Sequence, residues 1–276
     1  MEVRYCADQV RYTRMNTEEL RRSFLVEGYF APGRLQLLYS DVDRAIIGSA
    51  VPTSGPLKLE GGKELASDYF TERREVGVIN VGGAGSVRVE GEDYLLENRA
   101  ALYIGKGNRE VVFSSSDAAN PAAFYILSYP AHASHPTQAA RQADAAAVHL
   151  GSEEEANKRT IYKYIHLDGI QSCQLVMGFT ELAQGSVWNT MPAHTHERRS
   201  EVYMYFDVPE DAVVFHFMGT PQETRHLVVR NRQATISPSW SLHAGSATRN
   251  YCFVWGMGGE NQEFTDMDGI GMDSIR

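Results

Sequence analysis

Apolar residues along this chain recur in short runs with a period of two, cut by glycine, proline and aspartate, a pattern that predicts strands. Leu35-Gln-Leu-Leu-Tyr and Arg44-Ala-Ile-Ile-Gly come first, punctuated by Pro32-Gly33 and Asp41. The pattern is densest over residues 76–104, in Val76-Gly-Val-Ile-Asn-Val, Ser86-Val-Arg-Val-Glu and Tyr94-Leu-Leu. Between the first two runs, Gly82-Gly-Ala-Gly85 reads as a hairpin turn and not as a phosphate loop, because neither a helix pattern nor Lys-Ser/Thr follows it. One helix signal is clear: Asn16-Thr-Glu-Glu19 places a capping residue three positions before a glutamate, ahead of Leu-Arg-Arg-Ser-Phe-Leu. Residues 131–160 turn alanine-rich and polar, and His132, His135 and His149 within them read as solvated or structural. The strand rhythm then resumes and runs to Phe264, before a Gly/Asp/Met tail.

The two halves echo each other. Glu72-Arg-Arg-Glu75-Val matches Glu197-Arg-Arg-Ser-Glu201-Val, and Ala101-Leu-Tyr-Ile matches Ala234-Thr-Ile-Ser. The expectation is an all-β chain of two tandem barrels with a few short helices: 1–135, a linker at 136–158, and 159–276. The first barrel has Asp68-Tyr-Phe-Thr where the second has His194-Thr-His, so it is expected to lack the chemistry described next.

Composition narrows the function classes. Of 276 residues, 43% are hydrophobic and 22% charged, enough for a real core. The net charge of −9 gives no long-range attraction to nucleic acid or an anionic membrane, so an anionic substrate needs local cations. Cys6, Cys173 and Cys252 are scattered and read as reduced thiols in a cytoplasmic protein. No secretory signal is visible in residues 1–25, and no apolar stretch has the length of a membrane-spanning helix.

The candidate chemistry lies in residues 191–206. His194 and His196 are two apart, so on an extended strand both imidazoles leave the same face. Glu201 follows at an odd offset from His196 and would face away on an unbroken strand; the polar run Glu197–Ser200 must therefore turn the chain onto a second strand that shares the inner face. His243 supplies a third imidazole after a Pro-x-Trp turn. Three imidazoles and one carboxylate form a mixed N/O set for a divalent metal, and the donor types admit several ions.

His-x-His-x4-Glu followed by Pro-x4-His resembles the two motifs of the cupin superfamily, although Asp207 and Trp240 stand near positions where glycine is common. Longer segments are similar to the 5-keto-4-deoxyuronate isomerase family: Glu72-Arg-Arg-Glu-Val-Gly-Val-Ile-Asn-Val-Gly-Gly-Ala-Gly, Trp188-Asn-Thr-Met-Pro-Ala-His-Thr-His-Glu-Arg-Arg, Pro221-Gln-Glu-Thr-Arg-His and Ile236-Ser-Pro-Ser-Trp-Ser among them. That resemblance implies a bicupin with one Zn2+ per chain on His194, His196, Glu201 and His243. It also implies a homo-hexameric ketol-isomerase that converts a small anionic keto-deoxyuronate in pectin degradation. The acid/base candidates are Glu223 and then Tyr203; the cations for a substrate carboxylate are Lys163 and Arg225, with Arg198 behind them. Met191, Tyr205 and Trp255 read as barrel walls. The rivals are a cupin dioxygenase or decarboxylase on the same ligands, and a non-catalytic sugar-binding barrel.

Overall fold

The computed structural model describes residues 1–276 and is all-β apart from one α-helix and several single 3-10 turns. It divides into two compact units, each built from a pair of sheets. In the first unit a seven-stranded sheet faces a four-stranded one, and Val76, Val78, Leu102, Ile104, Phe124 and Ile126 of the first meet Val87, Val89, Leu96, Val111 and Phe113 of the second in a dry apolar core. In the second unit a seven-stranded and a five-stranded sheet pair in the same way.

The duplication read from short sequence echoes extends to the strand order. Strands Leu35–Ser40, Ile46–Ala50, Phe124–Pro130, Arg74–Asn80 and Ala101–Ile104 lie side by side in that order. In the other seven-stranded sheet Arg159–Ile165, Val176–Leu182, Cys252–Gly259, Arg199–Phe206 and Ala234–Ser237 repeat it. Arg74 and Arg199 each open the equivalent strand, so two residues further on Val76 stands where Glu201 stands. Val76 is fully buried in the apolar core. The first unit therefore has no carboxylate at this place.

Glu75 points the other way. Its carboxylate accepts from the backbone N–H groups of Cys173, Gln174 and Leu175 at 2.6–2.8 Å and from the Tyr103 hydroxyl at 2.8 Å, all within the first unit. Four donors on one fully buried carboxylate make a clasp for the segment Tyr164–Met177, which belongs to this unit.

The boundaries differ from those the sequence predicts. Residues Tyr5–Glu27 belong to the second unit, and Tyr164–Met177 to the first. The helix Thr17–Phe24 forms where its capping box lies, Asn16 Oδ1 accepting from Glu19 N at 3.0 Å and Glu19 Oε2 from Asn16 N at 2.8 Å. It buries Leu20 and Phe24, and the ring of Trp240 packs on Tyr12 and Phe24 at centroid distances of 4.9 and 6.2 Å. Trp240 thus has its own task at a place where related turns carry glycine. Asp207 takes over the other such turn by adopting the left-handed conformation itself, at φ 52°.

The expected linker is not free chain. Gln138–Ala140 pairs with Ala101–Ile104 in the first unit, and Ala146–Leu150 pairs with Arg159–Ile165. Gly82–Gly85 is also reassigned. The strands on either side of it lie in different sheets, so it is an inter-sheet corner and not a hairpin. A Cβ at Gly83 would sit 2.0 Å from the Asn120 carbonyl oxygen, which explains the glycine.

Replacing Glu75 with Ala leaves three backbone N–H donors, one buried and two part-buried, without an acceptor. The expected loss is about 3 kcal/mol or more in urea unfolding, with the metal content of the second unit unchanged.

Candidate metal centre

His194, His196, Glu201 and His243 converge in the second unit, with one ligand atom from each lying within 4.8 Å of all the others. Strand Trp188–Thr195, in the five-stranded sheet, delivers His194 and leads into His196. The turn after it, closed by Arg199 N donating to the His196 carbonyl at 3.0 Å, carries the chain into the seven-stranded sheet. Strand Arg199–Phe206 then presents Glu201 back toward the histidines, as the odd spacing required. His243 pairs directly opposite His194 on the neighbouring strand Leu242–Ala247, which sets both rings on one face.

The donor atoms form a closed ring. His194 Nε2 is 3.0 Å from His196 Nε2 and 3.1 Å from His243 Nε2; Glu201 Oε2 is 3.0 Å from His196 Nε2 and 2.7 Å from His243 Nε2. Burial pushes the His194 imidazole down to a pKa of about 2, with the His243 ring adding to the effect, so His194 is neutral. Burial works against the Glu201 carboxylate, yet the His243 and His196 imidazoles outweigh it and hold the carboxyl below its usual range.

One hydrogen bond fixes the direction of the lone pairs. His196 Nδ1 donates to the Asp266 carbonyl at 2.7 Å, because a carbonyl can only accept. In its neutral form the ring therefore turns a bare Nε2 lone pair toward Glu201 and His194. Lone pair facing carboxylate at about 3 Å is repulsive unless a cation sits between them. Donors bound to one ion at about 2.1 Å are spaced by about 3 Å at right angles and about 3.4 Å in a tetrahedron, and the 2.7–3.1 Å contacts of this ring lie close to the lower figure. The residues fit a divalent metal.

The ring opens on a cavity of about 260 Å³. Met191, Phe253, Trp255, Met257, Phe264 and Met267 give it apolar walls, while Arg159, Thr180, Thr190 and Tyr203 are its polar groups beyond the donors. Strand Trp188–Thr195 slips register between Asn189 and His194, and Thr190 and Met191 line the cavity from this irregular stretch. Tyr203 is buried, with its hydroxyl 3.0 Å from Thr190 Oγ1 and its ring 5.3 Å from that of His243. Burial, with the Glu201 charge behind it, raises the Tyr203 phenol well above its ordinary value, so it carries its proton. Deeper in, Tyr205 lies behind Tyr203 with its hydroxyl 2.8 Å from His216 Nδ1.

The structure separates the other residues singled out from the sequence. Glu223 and Arg225 pair with each other at 2.8 Å outside the cavity, and Arg225 also donates to the Thr13 carbonyl at 2.6 Å. Their strand, Glu223–Val229, is the edge of its sheet, three strands away from the Trp188–Thr195 strand by way of Val214–Thr220 and Leu242–Ala247. Lys163 sits with its ammonium 5.2 Å from the ring of Phe264, a wall residue, without lining the cavity itself. Arg198 is engaged by Asp266 and Asp268, and buried Arg199 donates to the Glu263 and Asp266 carbonyls. Met191 and Trp255 are walls as expected. Two features escaped the sequence reading. One is Arg159, a lining cation on the same strand face as Lys163. The other is the tail: Phe264 and Met267 close the cavity, and Gly269 pairs with His194.

Two facing sheets around a largely buried three-histidine, one-carboxylate ring define this protein as a two-barrel cupin whose second barrel carries a group that could hold a metal ion. The chain belongs to the KduI/IolB family, whose model matches residues 25–269. A protein of Halalkalibacterium halodurans named 4-deoxy-L-threo-5-hexosulose-uronate ketol-isomerase is 54% identical over 276 residues, covering all of both chains. One of Salmonella typhimurium with the same name is 50% identical over 278 residues, again covering both chains fully. Among solved structures, an IolB-like protein of Salmonella typhimurium superposes at a TM-score of 0.74 over 90% of this chain and 96% of its own. At 13% identity that likeness shows the fold alone.

Asp266 ties Arg198 and Asn261 to the tail whose backbone orients His196. Asp266→Ala is therefore expected to weaken metal binding by about 10- to 100-fold, measured by competition with a chromophoric chelator. Glu201→Gln is expected to lower metal content in elemental analysis more severely.

Proposed function

We propose that this chain is a metal-dependent ketol-isomerase that interconverts 5-dehydro-4-deoxy-D-glucuronate and 3-deoxy-D-glycero-2,5-hexodiulosonate. The observation that carries the reading is identity of 54% along the whole chain with a relative of that activity by name. Zinc as the ion, a hexamer and a place in the breakdown of pectin-derived uronates come from the family resemblance, a cytoplasmic location from the cysteine usage, and all belong to the proposal. Cys6, Cys173 and Cys252 form no disulfide, in keeping with a reducing compartment.

The reaction moves one proton from C2 to C1 and one from the C2 hydroxyl to the C1 oxygen. His194, His196, Glu201 and His243 would hold a divalent ion, which would supply Lewis acidity to the reaction. Tyr203 is the proposed carrier of the oxygen-borne proton: its phenol gives a proton to the C1 oxygen and regains one from the C2 hydroxyl, with Thr190 Oγ1 holding the hydroxyl in line. The apolar walls keep water from the reacting carbons. Glu223 takes no part in this scheme, since its carboxylate is bound to Arg225 outside the cavity.

Metal-replete protein incubated without oxygen with the ketouronate in deuterated water is expected to give the hexodiulosonate by NMR, with deuterium at the hydroxymethyl carbon that was C1 of the ketouronate. Product formation only in the presence of oxygen, or none at all, refutes the isomerase. Tyr203→Phe is expected to keep its metal and lose about 10²- to 10⁴-fold in kcat. A variant as fast as wild type removes Tyr203 from the proton path.

A further inference from the structure

A ketouronate has two ends, and the metal ring accounts for one. In a hexosulose-uronate the reacting aldehyde and hydroxyl are at C1 and C2, whereas the carboxylate is C6, four carbon–carbon bonds beyond C2. A protein with a net charge of −9 repels an anion at long range, so the carboxylate needs a cation of its own inside the cavity.

We propose that Arg159 is that cation: its guanidinium receives the substrate carboxylate and selects uronates over neutral sugars. The assignment rests on the ketouronate reading of the same cavity. Arg159 is the only arginine or lysine among the residues that line it. It is half-buried, and its hydrogen bond is to a neutral acceptor, Nη1 donating to the Asn157 carbonyl at 2.8 Å. No carboxylate of the protein pairs with it. A desolvated guanidinium among apolar walls, without a counter-ion, is costly in the free protein and is relieved by an anion that binds bidentately.

The competing cations are already engaged. Arg198 is held by Asp266 and Asp268, Arg225 by Glu223 and the Thr13 carbonyl, and Arg199 by two backbone carbonyls. Lys163 lies over Phe264, outside the lining. The topology also places Arg159 correctly. Its strand is separated from that of Glu201 by two intervening strands, Val176–Leu182 and Cys252–Gly259. Three inter-strand steps amount to roughly 14 Å of backbone separation along the sheet. The cavity's cationic side and its metal side are thus distinct, as the two ends of the substrate are.

The test compares metal-replete wild type, Arg159→Lys and Arg159→Met. Kinetics with the ketouronate are expected to show KM raised about 10- to 100-fold in Arg159→Met, with a smaller change in kcat and partial recovery in Arg159→Lys. Calorimetric titration with D-glucuronate and D-glucose gives a readout independent of turnover: wild type is expected to prefer the uronate, and Arg159→Met to lose that preference. Should Arg159→Met not fold, Arg159→Gln serves the same comparison. An unchanged KM together with an unchanged preference for glucuronate overturns the assignment, as does a wild type that binds the two sugars alike. A wild type that fails to isomerise the ketouronate yet loses uronate binding in Arg159→Met sinks the proposed reaction and leaves the anion site standing.

Discussion

An imidazole lone pair and a carboxylate do not pack against each other inside a barrel of their own accord. The His196 Nδ1–Asp266 bond removes the easiest escape, in which the ring flips or changes tautomer and donates to Glu201. With that bond made, the Nε2 lone pair of a neutral His196 faces the Glu201 carboxylate at 3.0 Å, a contact that a bound cation would relieve. Much of the second unit serves to hold this arrangement: the turn between the sheets aims Glu201, the pairing of His243 opposite His194 aligns two more rings, and the Arg198–Asp266 ion pair pins the tail that orients His196.

The first unit shows the same topology without that demand. Val76 replaces the carboxylate, apolar side chains fill the interior from both sheets, and the adjacent Glu75 serves as a clasp for backbone N–H groups on the opposite face. A one-residue difference in the polar run, Glu-Arg-Arg-Glu against Glu-Arg-Arg-Ser-Glu, decides which face the carboxylate takes. The extra Ser200 shifts strand parity by one. One barrel thereby gains a ligand and the other a structural acceptor.

This explains how much was legible in the sequence. The four donors could be read because their constraints are local: i, i+2 spacing, an odd offset that demands a turn, and a third imidazole after a proline-containing corner. The capped helix was legible for the same reason. Glu223 and Arg225 misled because a charged pair on a strand looks alike whether the strand borders the cavity or lies at the edge of the sheet, and sheet order is set by long-range pairing. Arg159 shares its strand face with Lys163, so parity alone could not choose between them; the choice depends on how far up the strand the cavity extends. The tail was opaque because its polar sequence says nothing about the carbonyl of Asp266, and that backbone atom is what His196 uses.

The exchange of segments between the units follows from similar physics. The helix Thr17–Phe24 is too short to persist in water and gains its stability from an apolar face. The surface that accepts Leu20 and Phe24 lies beside Trp240, in the corner that leads into the strand of His243. Docking the N-terminal segment there braces this corner from outside the barrel, while Tyr12 ties down the neighbouring hairpin by donating to the Glu223 carbonyl at 2.9 Å and accepting from Thr220 N at 2.8 Å. Such bracing accounts for an aromatic side chain at a turn where glycine would satisfy the backbone alone. The corner that leads into the strand of His243 is thus packed against chain far from it in sequence, through contacts that begin near residue 12.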